Sequence, residues 1–200
     1  LASFLQQWLL PRMPRFHASH PAVKLYVHTS IGMVDFVHSD HQAAIRLGRG
    51  PHWPGVHAEK LFEEWLVPVC TPALLRKHGP IGDWRDLQRY PLLHSESEPW
   101  SLWRQRNEAP GAESTDMPRA QFDDSTVIVR LAARGEGLAL ARWSLVADEV
   151  AAGTLALACR KPIASSQSYW FVYPRRARSL ASVAAFKSWI FAEAAKFAAP

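Results

Sequence analysis

The sequence predicts an α/β fold, because segments with helical spacing of apolar residues alternate with short apolar segments typical of strands along the whole chain. Hydrophobic residues make up 48% of the 200 residues, which is enough to build a sizeable buried core. Nine tryptophans add large apolar side chains to that core. The regular alternation of helices and strands further predicts that the strands are largely parallel.

The chain opens with a predicted helix that Ser3 can cap and that runs toward Ser19. Pro11 and Pro14 interrupt its apolar pattern, so we expect a short leading turn followed by a main helix. The next predicted elements are, in order, a strand at Val23–His28, a short helix at Gly32–Asp40, a strand at Ala43–Leu47 and a strand over most of His57–Cys70.

The second half continues the alternation, with a helix beginning at Pro72 and short mixed pieces between Asp83 and Asn107. Glu108–Pro118 is polar and rich in Pro, Gly, Ser and Thr, which predicts a surface loop. The remaining predicted elements are a short strand at Ala120–Phe122, a helix capped by Asp123 or Asp124 and ending near Gly135, a strand at Gly137–Ala141, a helix at Ser144–Ala152, strands at Leu155–Cys159 and Ser168–Tyr173, and a helix at Leu180–Phe197.

Short hydroxyl side chains recur at the junctions between strands and helices. They are Ser3, Thr29, Ser30, Thr71 and Ser125. In open α/β sheets, ligands collect outside the carboxyl ends of the strands, where helix N-termini offer free amides and a partial positive charge. A single such hydroxyl is more often a helix cap than a ligand contact. Their recurrence at equivalent places predicts a small polar or anionic ligand.

Motifs for catalysis or metal binding are weak. His17 with His20 and His38 with His41 are three residues apart, but the ligands are too few for a metal site. The sequence contains neither a G-x-S-x-G nucleophile motif nor a catalytic-cysteine signature. The acidic pairs Glu63/Glu64, Glu96/Glu98 and Asp123/Asp124 are too close in sequence to face each other across a substrate. We therefore expect no enzyme activity, no cofactor and no metal.

Charge and cysteine content predict where the protein works. The net charge is +5, but the basic residues are scattered and only Arg175, Arg176 and Arg178 cluster, which is typical of a solvated surface. Cys70 and Cys159, the two cysteines, fit a reducing compartment better than a disulfide framework. No apolar run reaches the roughly 18 residues needed to span a membrane. These features favour a cytoplasmic protein without a signal peptide.

Ordered motifs run the length of the chain. They include Ser3-Phe4, Trp8-Leu9-Leu10-Pro11-Arg12, Thr29-Ser30, Val34-Asp35-Phe36, Trp53-Pro54-Gly55, Leu66-Val67-Pro68-Val69-Cys70-Thr71-Pro72, Pro91-Leu92-Leu93-His94, Phe122-Asp123-Asp124-Ser125 and Gly137-Leu138-Ala139-Leu140. This series resembles the effector-binding domain of LysR-type transcriptional regulators, especially the subgroup that includes activators of glycine cleavage and of β-lactamase expression. The stretch Asp40–Ala44 departs from the family pattern, which usually places Gly-Val-Asp-Leu or Asp-Val-Asp-Leu there.

The resemblance implies a two-lobed, periplasmic-binding-protein-like (type II) fold with two crossing strands as the hinge. Lobe I would comprise residues 1–70 and 171–200, and lobe II residues 71–170. The expected hinge residues are Cys70, Thr71, Tyr169 and Trp170. A winged helix-turn-helix DNA-binding domain, its linker helix and the opening strand of lobe I would precede Leu1, so the chain would contact DNA only through that domain.

The resemblance also implies a small-molecule effector held between the lobes. The residues expected to contact it are Ser3, Thr29, Ser30, His94, Ser125 and Tyr169. Family members pair side by side, so we expect a homodimer of this domain and a tetramer of the full-length protein. The residues expected at the dimer interface are Phe4, Trp8, Arg12, Phe16, Tyr26 and His28.

Two other functions are compatible with such a fold. A solute-binding protein of a transporter would share the architecture and would carry an export signal. An enzyme of the same fold, like some that form tetrapyrroles, would need a basic cleft or a cofactor-bearing cysteine such as Cys70. Cys70 lies in a hinge-like predicted strand, where burial is more common than reactivity.

Overall fold

The computed structural model describes residues 1–51, 53–107 and 120–200. They divide into two compact units: unit 1 comprises Leu1–Glu64 and Ser165–Ala199, and unit 2 comprises Trp65–Ala164 together with Pro200. The backbone passes between the units within two long strands. The lobe boundaries expected from the sequence lie further along these same strands.

Unit 1 begins with a broken helical segment. Its parts are α1 (Ala2–Phe4), a π-helical turn (Leu5–Leu9) and α2 (Met13–Ser19). The break falls at Pro11, which has no amide hydrogen to continue the helix, while Pro14 lies in the first turn of α2, where no donor is needed. The short leading turn and the main helix expected from the two prolines are therefore both present.

The sheet neighbours within unit 1 are, in order, β1 (Ala44–Gly48), β7 (Ile163–Pro174) and β2 (Val56–Cys70). β1 runs antiparallel to β7, which places Leu47 opposite Tyr169. After β7 the chain makes a 3-10 turn at Arg175–Ala177 and ends in α7 (Ala181–Ala195).

Aromatic side chains fill the core of unit 1. Its fully or almost fully buried members include Phe4, Trp8, Phe16, Tyr169, Phe171 and Ile190. The ring centroid of Phe4 lies 4.5 Å from that of Tyr169, and the ring of Phe16 lies 5.0 Å from that of Trp189. These contacts pack the N-terminal helices against β7 and α7 by burial of large apolar surfaces.

The strand predicted at Val23–His28 and the helix predicted at Gly32–Asp40 are both wrong, because this region forms turns and coil. Alternation becomes a strand only where a neighbouring strand satisfies its backbone groups, and none of the described strands pairs with residues 23–28. The side chain of Tyr26 is 91% exposed and that of Ile31 is 88% exposed. These two side chains thus remain on the surface, whereas Phe36 is buried.

Two arginines bind the backbone of residues 31–41. Arg46 donates to the carbonyl of Ile31 at 3.0 Å. Arg176 donates to the carbonyl of Phe36 and, at 3.0 Å, to that of Ser39. These bonds tie the coil to β1 and to the turn that follows β7, in place of a helix.

Unit 2 alternates helices and strands as predicted. Its elements are α3 (Pro72–His78), a 3-10 helix (Trp84–Arg89), β3 (Leu92–Ser95), α4 (Trp100–Arg106), β4 (Gln121–Phe122), α5 (Ser125–Ala133), β5 (Leu138–Arg142), α6 (Trp143–Ala151) and β6 (Ala156–Leu157). The surface loop predicted at Glu108–Pro118 lies outside the described residues.

The sheet of unit 2 is mixed. β3 runs parallel to β4 and β5, as the sequence predicts, but β2 runs antiparallel to β5 and β6. The prediction of parallel strands is therefore wrong for β2. An apolar run indicates that a strand is buried on both faces, but it does not indicate the direction of the strand. The strand predicted at Leu155–Cys159 is reduced to two residues, Ala156 and Leu157, and the residues that follow it, Ala158 and Cys159, pack into the core.

Two apolar clusters form the core of unit 2. Alternate residues of β5 belong to different clusters: Leu138 and Leu140 join one, and Ala139 and Ala141 join the other. Successive side chains of a strand point to opposite faces of the sheet, so apolar packing covers both faces. This two-sided packing holds the strand ends, where the predicted ligand contacts lie, in fixed positions.

Candidate functional site

A buried cluster of charged and hydroxyl side chains lies in unit 2. Its members are Ser95, Glu98, Ser125 and Arg142, each no more than 6% exposed. Two hydroxyls, those of Ser95 and Ser125, donate to Oε2 of Glu98 at 2.8 and 2.9 Å. Nε of Arg142 lies 2.9 Å from Oε1 of Glu98, and its Nη2 donates to Oγ of Ser125 at 2.7 Å. Every member therefore contacts at least one other member.

Local sequence explains how these residues meet. Ser95 ends β3 and Arg142 ends β5, two parallel strands, so both lie at the carboxyl edge of the sheet. Ser125 is the first residue of α5, whose N-cap Asp124 accepts a hydrogen bond from the amide of Thr126 at 2.8 Å. The turn after β3 brings Glu98 back onto the hydroxyl of Ser95.

The sequence predicted Ser125 as a ligand contact but missed Glu98 and Arg142. In the sequence, Glu98 stands out only as a partner of Glu96, whose side chain is exposed. Arg142 directly follows the apolar residues Leu138–Ala141, so the sequence places a charged residue at the end of a buried strand. That signal could have identified Arg142, whereas nothing in the sequence pairs it with Glu98.

His94, the other predicted contact of unit 2, lies in β3 directly before Ser95. It is half-buried and stands opposite Gln121 of β4. It is thus adjacent in sequence to the buried cluster and shares its sheet edge.

Unit 1 contains the remaining predicted effector contacts. Ser3 is 6% exposed in α1, and Tyr169 is fully buried in β7. The ring of Phe4, next to Ser3, packs on the ring of Tyr169, so the structure brings these two predictions close together. Thr29 and Ser30 instead lie on exposed coil, where Oγ of Ser30 donates to the carbonyl of Gly32 at 3.1 Å.

The four predicted hinge residues fall within the units. Cys70 is the last residue of β2, and Thr71 caps α3 by accepting a hydrogen bond from the amide of Leu74 at 3.2 Å, both in unit 2. Tyr169 and Trp170 lie in the part of β7 that belongs to unit 1. The units divide earlier along both strands, after Glu64 and after Ala164. The hinge therefore stays a prediction.

Half of the predicted dimer-interface residues are core residues. Phe4, Trp8 and Phe16 are at most 3% exposed and pack inside unit 1, so their rings offer no surface to a partner. Arg12 is half-buried and lies over the ring of Trp8 at 4.6 Å. Tyr26 and His28 are exposed. The resemblance implies these residues at the dimer interface. The structure buries the rings of Phe4, Trp8 and Phe16 in the core of unit 1, and the interface itself stays a prediction.

The histidines of the described residues do not gather into a metal site. Nδ1 of His38 lies 2.8 Å from Oδ2 of Asp35, and this contact, with amide donors from His38 and Val37, holds the pKa of Asp35 below its usual range. Within residues 1–51, 53–107 and 120–200, no three His, Cys, Asp or Glu side chains converge as metal ligands would.

Unit 1 also contains a cavity of about 370 Å³ that the sequence did not predict. Its walls are mainly apolar, with Phe36, Trp53 and Val172 among them, and none of the predicted effector contacts lines it. Arg46 adds a cation whose pKa is lowered by burial. Among the described residues, no helix is long and apolar enough to cross a lipid bilayer.

The sequence matches the family model described as the LysR substrate binding domain over residues 1–195. It is 32% identical over 196 residues to the glycine cleavage system transcriptional activator of Escherichia coli K12, covering 98% of this chain and 63% of the relative. It is also 32% identical over 200 residues to the transcriptional activator AmpR of Pseudomonas aeruginosa, covering 98% of this chain and 64% of the relative. The chain thus spans less than two thirds of these relatives.

Solved structures show the same likeness. The effector domain of AmpR from Pseudomonas aeruginosa superposes with a TM-score of 0.77 at 29% identity, covering 98% of this chain and 93% of that domain. The AmpR effector-binding domain from Citrobacter freundii superposes with a TM-score of 0.75 at 24% identity, covering 98% and 96%. These matches confirm the two-lobed type II fold class expected from the sequence. The chain therefore belongs to the LysR substrate-binding domain family.

Proposed function

We propose that this domain senses a small polar or anionic metabolite, and that occupancy is relayed to a DNA-binding domain of the full-length regulator. The observation that carries the proposal is the family match over residues 1–195, which includes every predicted effector contact. A ligand shifts a regulator only if it binds one conformation more tightly than another, and differences of about 1–3 kcal/mol are typical.

The residues that we assign to effector binding are those predicted from the sequence. They differ in burial and in the element on which they lie. Ser125 and Ser3 are buried at the starts of α5 and α1, where side chains are held in fixed positions. Tyr169 lies in β7, where its ring packs on Phe4, the residue after Ser3. His94 lies in β3, directly before Ser95 of the buried cluster. Thr29 and Ser30 lie on coil and would need to adjust on binding.

Similarity to transcription regulators gives no support to the alternative of a transporter's solute-binding protein. The enzymatic alternative requires a basic cleft or a cofactor-bearing cysteine such as Cys70. Cys70 is fully buried, and its burial raises the pKa of the thiol to about 11, so the nucleophilic thiolate is scarce near neutral pH. We therefore propose a binding function without catalysis.

The remaining partners follow from the family. The full-length protein would bind DNA through an N-terminal domain, act as an oligomer and work in the cytoplasm. For the dimer of this domain we retain Arg12, Tyr26 and His28 as proposed contacts, since Tyr26 and His28 are exposed and Arg12 is half-buried. Phe4, Trp8 and Phe16 support this surface from the core.

A thermal-shift screen of amino acids, aromatic acids and cell-wall peptides tests the sensing function. A ligand at about 100 times its Kd stabilises the folded chain by about 2.7 kcal/mol, which raises the Tm by roughly 5–10 °C. Ser125→Ala should reduce that shift, whereas the matched control Ser101→Ala, on an exposed position of the same unit, should leave it unchanged. If none of the three compound classes stabilises the chain, the proposed effector chemistry is wrong.

A further inference from the structure

Glu98 lies in a site that has the chemistry of an anion-binding pocket. Its carboxylate accepts hydrogen bonds from the hydroxyls of Ser95 and Ser125, and the guanidinium of Arg142 lies 2.9 Å from its second oxygen. Two hydroxyls that donate to one carboxylate, with a guanidinium in ion-pair contact beside them, form the kind of cationic and donor set by which proteins recognise anionic ligands. Here the anion belongs to the chain itself.

The two hydroxyls have no hydrogen left to donate. Oγ of Ser95 donates to Glu98 and accepts from the amides of Ser97 and Glu98 at 3.2 Å each. Oγ of Ser125 donates to Glu98 and accepts from Arg142 at 2.7 Å. A serine hydroxyl has one hydrogen and two lone pairs, so Ser125 keeps only a single lone pair for a further partner.

The charges of the cluster are also balanced. Arg142 and Glu98 are 6% and 4% exposed, and each neutralises the other. Separating a buried pair leaves an uncompensated charge in a poorly solvated place, so the pair is retained as a unit. A carboxylate approaching Ser125 would meet lone pairs and the negative charge of Glu98, and would find the charge of Arg142 already neutralised.

We propose that Glu98 determines which effectors unit 2 accepts: by filling the anion site, it makes Ser125 a hydrogen-bond acceptor only. The effector group next to Ser125 is then an N–H or O–H donor, such as an amino, amide or hydroxyl group, and not a carboxylate. This inference rests on the proposed sensing function and narrows its ligand, because the sequence predicted a polar or anionic group without distinguishing them.

Glu98→Ala provides a direct test, since the substitution removes a fragment that acetate replaces atom for atom. The variant should lose roughly 10 °C in Tm, as expected for breaking a buried ion pair. Acetate at about ten times its Kd should restore roughly 4 °C, while its uncharged isostere acetamide, at matched ionic strength, should not. The wild-type chain should show no preference for acetate over acetamide.

Glu96→Ala is the matched control, because Glu96 lies two residues away with its side chain exposed. It should keep the wild-type Tm and show no response specific to acetate. Equal responses to acetate and acetamide in Glu98→Ala, or the same acetate response in Glu96→Ala, would overturn the anion site.

Glu98→Gln covers the case in which the alanine variant does not fold. It keeps the size of the side chain, so the site stays filled, and acetate should stabilise it no more than acetamide does. A preference of Glu98→Gln for acetate would show that acetate acts elsewhere and would overturn the inference. These measurements use no effector, so they remain decisive if the metabolite screen fails. Conversely, a screened ligand that contacts Ser125 through a carboxylate would disprove this inference and leave the sensing function intact.

Discussion

Arg15 of α2 and Glu193 of α7 form an ion pair in which Nη2 lies 2.5 Å from Oε2, although Glu193 is only 5% exposed. Nζ of Lys196 lies 2.8 Å from the other carboxylate oxygen. Burial by itself raises the pKa of Glu193, but hydrogen bonds from Lys196 and Arg15 outweigh it and hold that pKa below its ordinary value of 4.5. The pair connects the N-terminal and C-terminal helices of unit 1.

Glu193→Gln should therefore lower the free energy of unfolding by about 1–2 kcal/mol near neutral pH. A depressed carboxylate pKa contributes stability above the unfolded-state pKa, and the contribution disappears as the pH falls through the folded-state pKa. Urea unfolding should accordingly show the gap between wild type and variant closing below about pH 4. Glu63→Gln, which removes an exposed pair with Lys60, should change stability by less than about 0.5 kcal/mol. A gap independent of pH would show that the charge of Glu193 is not its source.

Substitutions of Trp8 and Tyr26 distinguish residues that stabilise the core from residues that contribute to dimer formation. Trp8 is fully buried, so Trp8→Ala should cost about 3–5 kcal/mol in unfolding free energy, measured by denaturant titration. Tyr26 is 91% exposed, so Tyr26→Ala should leave that free energy within about 0.5 kcal/mol. If Tyr26 lies in the dimer interface, the same variant should weaken the dimer in sedimentation velocity. A Trp8→Ala chain of undiminished stability would contradict the burial of Trp8 in the core of unit 1.

Gly137 allows β5 to begin close to the residue that precedes β3. A Cβ at this position would lie 2.5 Å from the carbonyl oxygen of Pro91 and 3.0 Å from Cγ of Leu93, so the backbone itself would have to move. Gly137→Ala should destabilise the chain by about 1–3 kcal/mol in thermal or urea unfolding. Gly32→Ala is the control, because its Cβ would meet nothing within 4 Å. Equal stabilities of the two variants would show that the approach of Gly137 to Pro91 is not tight.

The thiol of Cys70 should be inert in the folded chain. Its burial raises its pKa to about 11 from an ordinary value of 9.0. Iodoacetamide labelling followed by mass spectrometry should therefore modify Cys70 slowly in buffer and quickly in urea. Because the folded-state pKa is raised, this group's contribution to stability is complete below the unfolded-state pKa and is lost as the pH rises toward 11. Rapid labelling of Cys70 in the native protein would disprove the buried thiol and revive a reactive role.

Local sequence patterns predicted most helices and strands of unit 2, because each has a start signal, an apolar period and an end signal within a few residues. Asp124 caps α5 and Gly135 follows its end with a φ of 79°, so both boundaries could be read directly. The strand and the helix predicted within residues 23–40 are wrong, because regular structure there would need partners that are distant in sequence.

The sequence by itself determined the family, the α/β class and the placement of Ser125 at a helix start, since ordered motifs and caps are local properties of the chain. Only the tertiary structure decided what surrounds Ser125. Glu98 and Arg142 lie on either side of it in sequence and meet it only because the carboxyl ends of β3 and β5 adjoin the start of α5. At that sheet edge the hydroxyl of Ser125 donates its hydrogen to Glu98, and Glu98 balances the charge of Arg142. A buried charge needs a partner, and only the fold decides which residue supplies it.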